Sequence, residues 1–416
     1  MLRILAFVSA FSCLGSIYAQ QFTKKQLSED FEYFWSTINT DYCYFDKKAT
    51  DWNRVKEIYA NDLDTISTRK SFVFLLEKMF RELYDNHASL STNYPESQKL
   101  VPTGTDVWAE YKNNKAVILE VRRNSGADHC GLRAGMEVIS FNDLAIDQAI
   151  QEFIPKSVST VTPEARNFAL QVLLAGRHNE KRKITVLDPQ KRIDFFPDDP
   201  QYFSADSPSW LDSKRLEGNI GYIRINNRLG ENELIPLFDS VLDGLMDTKA
   251  MILDMRLTPS GGNTTVARAV LSRFISKEGF YQKHELTQEE KMFGVKRSWE
   301  EIVSPRKTTY TKALVVLADH WTGSVGEAMV IGLDGLKRVK VIGTQMARLN
   351  GAVYSYRLPN TGIGFNFPAE KLFHVNGTPR ENFEPHIRVN MVQQKPGSDE
   401  ILDAALRYLR QRDKHS

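Results

Sequence analysis

From Ile220 onward, short β-branched apolar runs alternate with amphipathic ones, and small residues sit at the junctions. Residues 221–225, 250–255, 313–318 and 339–342 read as strands. Helices are expected between them over 231–246 and 264–274. A chain that repeats strand, loop and helix is confined to βαβ units around a partly parallel sheet. The sharpest junction lies at 313–327. Its apolar run ends at Ala318, the residues Asp-His-Trp-Thr-Gly-Ser follow, and an amphipathic run opens at Glu327. Strand, tight loop and helix in that order set Ser324 at a helix N-terminus.

Backbone N–H groups point outward at such an end, and the helix dipole favours negative charge there. A serine so placed is either a plain helix cap or the nucleophile of an acyl transfer. The segment alone leaves both open. The loop Asp254-Met-Arg-Leu-Thr-Pro-Ser-Gly-Gly-Asn263 follows another buried strand. Its glycines let the backbone approach a ligand and expose N–H groups. A phosphate loop is a poor reading, because the lysine of GxxxxGK[ST] is missing. Neighbouring strand ends in an α/β sheet share one crevice, so this loop and Ser324 are expected together.

The rest of the chain divides by pattern. Residues 1–19 read as a secretory signal: Arg3 is the charged start, 4–14 the short apolar core, and Ile17-Tyr-Ala19 a small-residue cleavage site. Cys13 offers a minor alternative, a lipoprotein anchor. The apolar run is too short to span a bilayer, and no later run is long enough, so the mature chain is expected to be exported, periplasmic or secreted, without a transmembrane anchor. Residues 20–97 read as helical, with one stripe of Leu27, Phe31, Phe34, Trp35 and Ile38 and another from Phe72 to Leu83; these aromatics are expected in a core. Residues 98–195 turn β-rich, with strands at 116–121, 136–141 and 183–187 and a tight turn at Asn142-Asp143. Residues 196–416 form the α/β core. It opens on a connector rich in Pro, Asp and Ser at 196–215 and closes on an amphipathic helix at 400–409.

The net charge of +2 carries no basic excess, which argues against a nucleic-acid footprint. The one basic cluster, Arg177–Arg192, reads as a solvated strand edge. Beyond the signal, Cys43 and Cys130 either pair or stay as two lone thiols. No Cys/His cluster has zinc-ligand spacing and no acidic loop has calcium-site spacing, so neither metal nor cofactor is called for.

Several of these segments resemble the C-terminal-processing, or tail-specific, serine peptidases. Asp254-Met-Arg256 with Gly261-Gly-Asn263 is similar to that family's D-x-R-x-N-x-G-G loop, and Thr322-Gly-Ser-Val-Gly-Glu327 to its nucleophile segment. Val341-Ile-Gly-Thr344 resembles the strand and loop that follow. Arg380-Glu-Asn-Phe-Glu-Pro-His-Ile387 stands where the family carries E-G-x-G-V-x-P-D, and 127–143 is similar to its PDZ-like module. The resemblance implies a mixed α/β fold and a serine endopeptidase acting on peptide or protein substrates, with extended peptide bound at the PDZ-like module.

It also implies roles. Ser324 would be the nucleophile, and the N–H groups of Val325 and Gly261 or Gly262 the oxyanion donors. The lysine base of the Ser–Lys branch has no counterpart, since the matching position falls near Leu349; Arg348 stays protonated and cannot serve. The tricorn-like branch takes a histidine from the helices before the PDZ-like module, which points to His87 as base. Asn86 stands where that branch has a serine, and Glu381 matches the carboxylate that would orient the imidazole. Glu327 is expected as a hydrogen-bond partner of the turn, Asp254 and Arg256 as an ion pair beneath the loop, and His320 as a competing base. A competent site requires about 3 Å between His87 Nε2 and Ser324 Oγ. The alternative from another class is a catalytically inactive member of the fold that binds peptides or apolar ligands.

Overall fold

The computed structural model describes residues 22–188, 190–202, 209–394 and 397–413. The expected signal segment and Cys13 lie outside them. Three α-helices open the described residues, Lys24–Asp41, Trp52–Leu63 and Arg69–Arg81, and each starts at a side chain that caps it. Thr23, Asp51 and Thr68 accept from the backbone N–H groups of Gln26, Arg54 and Ser71, satisfying donors that a helix start leaves unpaired. The apolar stripes are buried, with Leu27, Phe31, Phe34, Phe72, Leu76 and Met79 among the least exposed residues, while Trp35 is only half-buried at the edge of that core.

The central sheet has six strands in the order Ile387–Arg388, Val339–Gly343, Ala313–Ala318, Ala250–Asp254, Ile220–Ile225 and Leu211–Leu216. Every pairing but the last is parallel. The edge strand Leu211–Leu216 corrects the expectation of a connector there. Its sequence LDSKRL is polar because one side faces solvent at the sheet edge. The helix expected at 231–246 is shorter, Leu234–Asp243, with Pro236 in its first turn where no N–H is needed.

A second six-stranded sheet is built from Val107–Lys112, Lys115–Val121, Glu137–Phe141, Leu144–Ala145, Ile184–Asp188 and Lys191–Phe195, all antiparallel. Asn142 and Asp143 take φ +46° and +67° in its tightest hairpin. The helix Pro163–Ala175 packs in the same core. Within the basic cluster, Lys191 is solvent-facing, but Arg182 is buried and ion-paired with Asp106 and Asp198.

The third sheet was not foreseen. Ser89–Leu90, Gly364–Phe373, Gly279–Leu286, Arg297–Val303 and Ala352–Arg357 form it, antiparallel throughout. Its residues Phe365, Phe367 and Ala369, with Leu358 and Ile363 of the connecting turn, share one core with the N-terminal helices. Ser89 pairs with Asn366 and Leu90 with Phe365, so the segment just after the third helix is tied to the late part of the chain. Cys43 and Cys130 are both free thiols, Cys43 buried beside Pro368 and Cys130 in the second sheet's core region, which settles the choice left open above.

Candidate active site

The strand Ala313–Ala318 runs into a loop, and the helix Val325–Gly335 starts one residue after Ser324. Ser324 has φ +51° and ψ −112°. L-residues avoid that conformation at a cost of roughly 1–3 kcal/mol, and it persists only where the surroundings enforce it. A sharp strand-to-helix turn with such an apex pushes the apical side chain away from the backbone. The Ser324 N–H donates to Glu327 Oε2 at 2.8 Å, so Glu327 does partner the turn. Burial pushes the Glu327 carboxyl up to about 7, against the opposing charge of Arg380.

His87 lies in the turn after the third helix, and its Nε2 is 3.1 Å from Ser324 Oγ. Its Nδ1 is 2.6 Å from the carbonyl oxygen of Asn350. A carbonyl only accepts, so the ring proton belongs on Nδ1 and Nε2 is left as an acceptor facing the hydroxyl. Burial, with Arg380 nearby, pushes the imidazole pKa down to about 4; Asn350 and Asp85 oppose the fall. The ring is therefore neutral at pH 7.

Asp85 organises this corner. Its Oδ1 takes the His87 N–H at 2.9 Å, and its Oδ2 accepts from Tyr42 Oη at 2.6 Å and Asn350 Nδ2 at 2.8 Å. One carboxylate thus holds both the backbone of His87 and the residue whose carbonyl orients the ring. Arg380 works from the other side. Its guanidinium donates to the carbonyls of Ser324 at 3.3 Å, Leu349 at 2.9 Å and Gly351 at 2.7 Å. Neither Asp85 nor Arg380 was assigned from the sequence. Asp85 stands two residues before His87, and Arg380 beside the residue that was chosen instead.

That choice, Glu381, needs correction. Its Oε1 accepts from Lys47 Nζ at 2.7 Å, and it makes no hydrogen bond to the His87 ring. The one-turn helix Arg380–Asn382 turns Arg380 inward and leaves Glu381 facing Lys47. His320 is also displaced from the role of competing base. Its Nδ1 bonds Glu120 Oε2 at 2.6 Å, and its ring stacks on Trp108. Asn86 donates to Gln171 Oε1 at 3.0 Å rather than to the imidazole. Among the described residues no lysine bonds Ser324 Oγ; the backbone of Leu349 serves Arg380 instead.

The glycine loop meets Ser324 as expected. A methyl on Gly261, which has φ +64°, would lie 2.5 Å from Ser324 Cβ; one on Gly262 would lie 2.1 Å from the Leu229 carbonyl carbon. Gly261 cannot be the oxyanion donor, because its N–H already bonds Thr258 O at 3.1 Å in a turn. The N–H groups of Gly262 and Val325 have no intramolecular acceptor among the described residues. Beneath the loop, Arg256 and Asp254 pair at 2.9 and 2.7 Å, and Arg256 reaches on to Asp399. A cavity of about 410 Å³ opens beside Asn86 and Asn350, lined also by Lys48, Tyr84, Arg348 and Glu381.

Residues 219–389 match peptidase family S41, the stretch that holds both loops. The chain carries the peptidase domain of family S41. It is therefore a serine peptidase, and its substrates are peptides or proteins. Ahead of the S41 domain, residues 23–81 match the tricorn protease C1 domain. The fold as a whole is similar to a photosystem II D1 C-terminal processing protease: TM-score 0.56 at 15% identity, over 91% of this chain and 99% of that one. It is likewise similar to mature CPAF, with TM-score 0.58 at 14% identity over 88% of this chain and 92% of the other. At those identities the likeness is one of fold.

Proposed function

We propose that the chain is an exported serine endopeptidase in which Ser324 is the nucleophile and His87 the general base. The observation that carries this is the 3.1 Å approach of His87 Nε2 to Ser324 Oγ, with Nδ1 committed to the Asn350 carbonyl. The base stands in the turn after the helices that match the tricorn protease C1 domain, which favours the histidine over the lysine branch. Ser324 Oγ attacks the scissile carbonyl carbon while its proton passes to Nε2. The carbonyl oxygen, now negative, takes hydrogen bonds from the Val325 and Gly262 N–H groups. On collapse the C–N bond breaks and the Nε2 proton goes to the leaving amine. Water, deprotonated by the same nitrogen, then hydrolyses the acyl-enzyme. One such oxyanion donor is worth about 3 kcal/mol of barrier.

Asp85 acts through Asn350 and the His87 backbone, and steadies the imidazolium that forms at the height of the reaction. The sheet of 107–195 carries the PDZ-like resemblance and with it the capture of extended peptide by strand addition. Export rests on the signal-like pattern of residues 1–19. The test is hydrolysis of an unstructured protein such as labelled casein. Ser324→Ala should abolish turnover with the circular dichroism spectrum unchanged, and His87→Ala should lower kcat by about a thousandfold or more. Residual turnover in Ser324→Ala above about a tenth of wild type would remove Ser324 from the mechanism.

A further inference from the structure

The strand Lys115–Val121 turns Ala116, Ile118 and Glu120 toward the interior. Glu120 is 2% exposed, in a position where its neighbours on the same face are apolar. A carboxylate is buried at such a place only where hydrogen-bond partners offset its lost solvation. Its Oε2 accepts from His320 Nδ1 at 2.6 Å and from Thr344 Oγ1 at 2.7 Å. His320 and Thr344 are not in its own sheet. They lie just past the ends of the adjacent central strands Ala313–Ala318 and Val339–Gly343, His320 two residues on and Thr344 one.

The same loop is gripped twice more from that side. Trp108 stacks on the His320 ring, centroids 4.7 Å apart. Trp321, fully buried among Val101, Trp108 and Ala175, donates its indole N–H to Thr105 O at 2.8 Å. Three residues further on stands Ser324, in a backbone conformation that its own sequence does not favour. The mechanism uses none of Glu120, His320 or Thr344.

We propose that Glu120 and His320 are positioning residues for the nucleophile: a clamp from the second sheet that holds the loop before Ser324 in its strained shape. The inference rests on Ser324 being the nucleophile. The hydrogen-bonded pair fixes the start of the loop, Trp321 fixes its middle, and Glu327 with Arg380 fixes Ser324 itself. Releasing the first of these lets Ser324 drift from His87, and a drift of about 1 Å is worth roughly a hundredfold in rate. Substrate contacts are untouched, so the loss falls on kcat rather than KM.

The test uses the full chain and p-nitrophenyl acetate, which acylates the serine without needing a particular peptide sequence. His320→Leu and Glu120→Leu should each lower kcat by about tenfold or more with KM within about twofold, and the double variant should be no worse than about threefold below the poorer single one. His320→Asn, whose amide N–H can replace Nδ1–H, should recover kcat to within about threefold of wild type. If a leucine variant does not fold, Thr344→Val, which removes one bond from Glu120, takes its place and should still cost kcat about threefold. Hydrogen exchange of the 319–328 amides should quicken in the same variants; this readout stands even if wild type proves inert to ester and casein alike, the result that would sink the proposed activity instead. Unchanged kcat in a folded His320→Leu protein, strictly multiplicative losses in the double variant, or exchange no faster than wild type would overturn the clamp.

Discussion

Adding one methyl group at Gly261 tests how tightly the site is built. An alanine Cβ there would lie 2.5 Å from Ser324 Cβ and 2.9 Å from its Oγ. Non-bonded carbons settle at roughly 3.5–4.0 Å, so the two loops must part by about 1 Å. The glycine loop cannot simply back away, since the Gly261 N–H is tied to Thr258 and a Gly262 Cα hydrogen already faces Leu229. Ser324 yields instead, and its Oγ leaves His87. A misplacement of about 1 Å corresponds to roughly a hundredfold in kcat, or about 2.7 kcal/mol of barrier. Alanine at φ +64° further lowers stability by roughly 1–2 kcal/mol.

The two effects separate with a control. Gly377 has φ +91° but nothing within 4 Å of the added methyl. Gly377→Ala should therefore lose comparable stability in a denaturant titration and keep its kcat. Casein hydrolysis by both variants, with stability measured alongside, completes the comparison. A Gly261→Ala enzyme within about threefold of wild-type kcat would show that the loop is loose and the clash argument wrong.

Other expectations follow from the same geometry. As the proposed base, His87 would work only while neutral, and burial holds its pKa near 4, so kcat/KM should stay level through pH 6.5 and fall only as pH drops toward 4; an acid limb at 6.5 refutes the burial effect. The sign for stability agrees: the unfolded chain takes up this proton near 6.5, before the folded one, so the folded state loses stability as pH falls from there toward 4. Arg380→Gln removes both a cation that depresses the His87 pKa and the donor to three loop carbonyls, so the acid limb should move upward and kcat should drop by about tenfold. Among inactive variants, Ser324→Gly should melt higher than Ser324→Ala by the equivalent of about 1 kcal/mol, because only glycine adopts φ +51° without strain.

The parallel strands were legible because burial on both faces writes an unbroken apolar run, as in Ala313–Ala318. Arg297–Val303, with its sequence RSWEEIV, is nearly all exposed and gave no such sign. With that edge and the strand Gly364–Phe373 both unread, the third sheet stayed hidden, and with it the pairing of Ser89 and Leu90 with the late part of the chain. Ser324, His87 and the glycine loop carried motif and position, so they could be named as candidates. The group that orients His87 could not be found the same way, because it is a backbone carbonyl, which any residue would supply. Glu381 was chosen on its place in a motif, and place in a motif does not say whether Arg380 or its neighbour turns inward.

Ser89 and Leu90 find their pairing partners some 275 positions later, at Asn366 and Phe365. Until that late strand has been made, the segment that carries His87 lacks this tether to the rest of the molecule. On the proposed mechanism, a polypeptide still being synthesised carries its nucleophile before its base is fully seated. On that reading, hydrolysis waits until the segment after the third helix has joined the late strand.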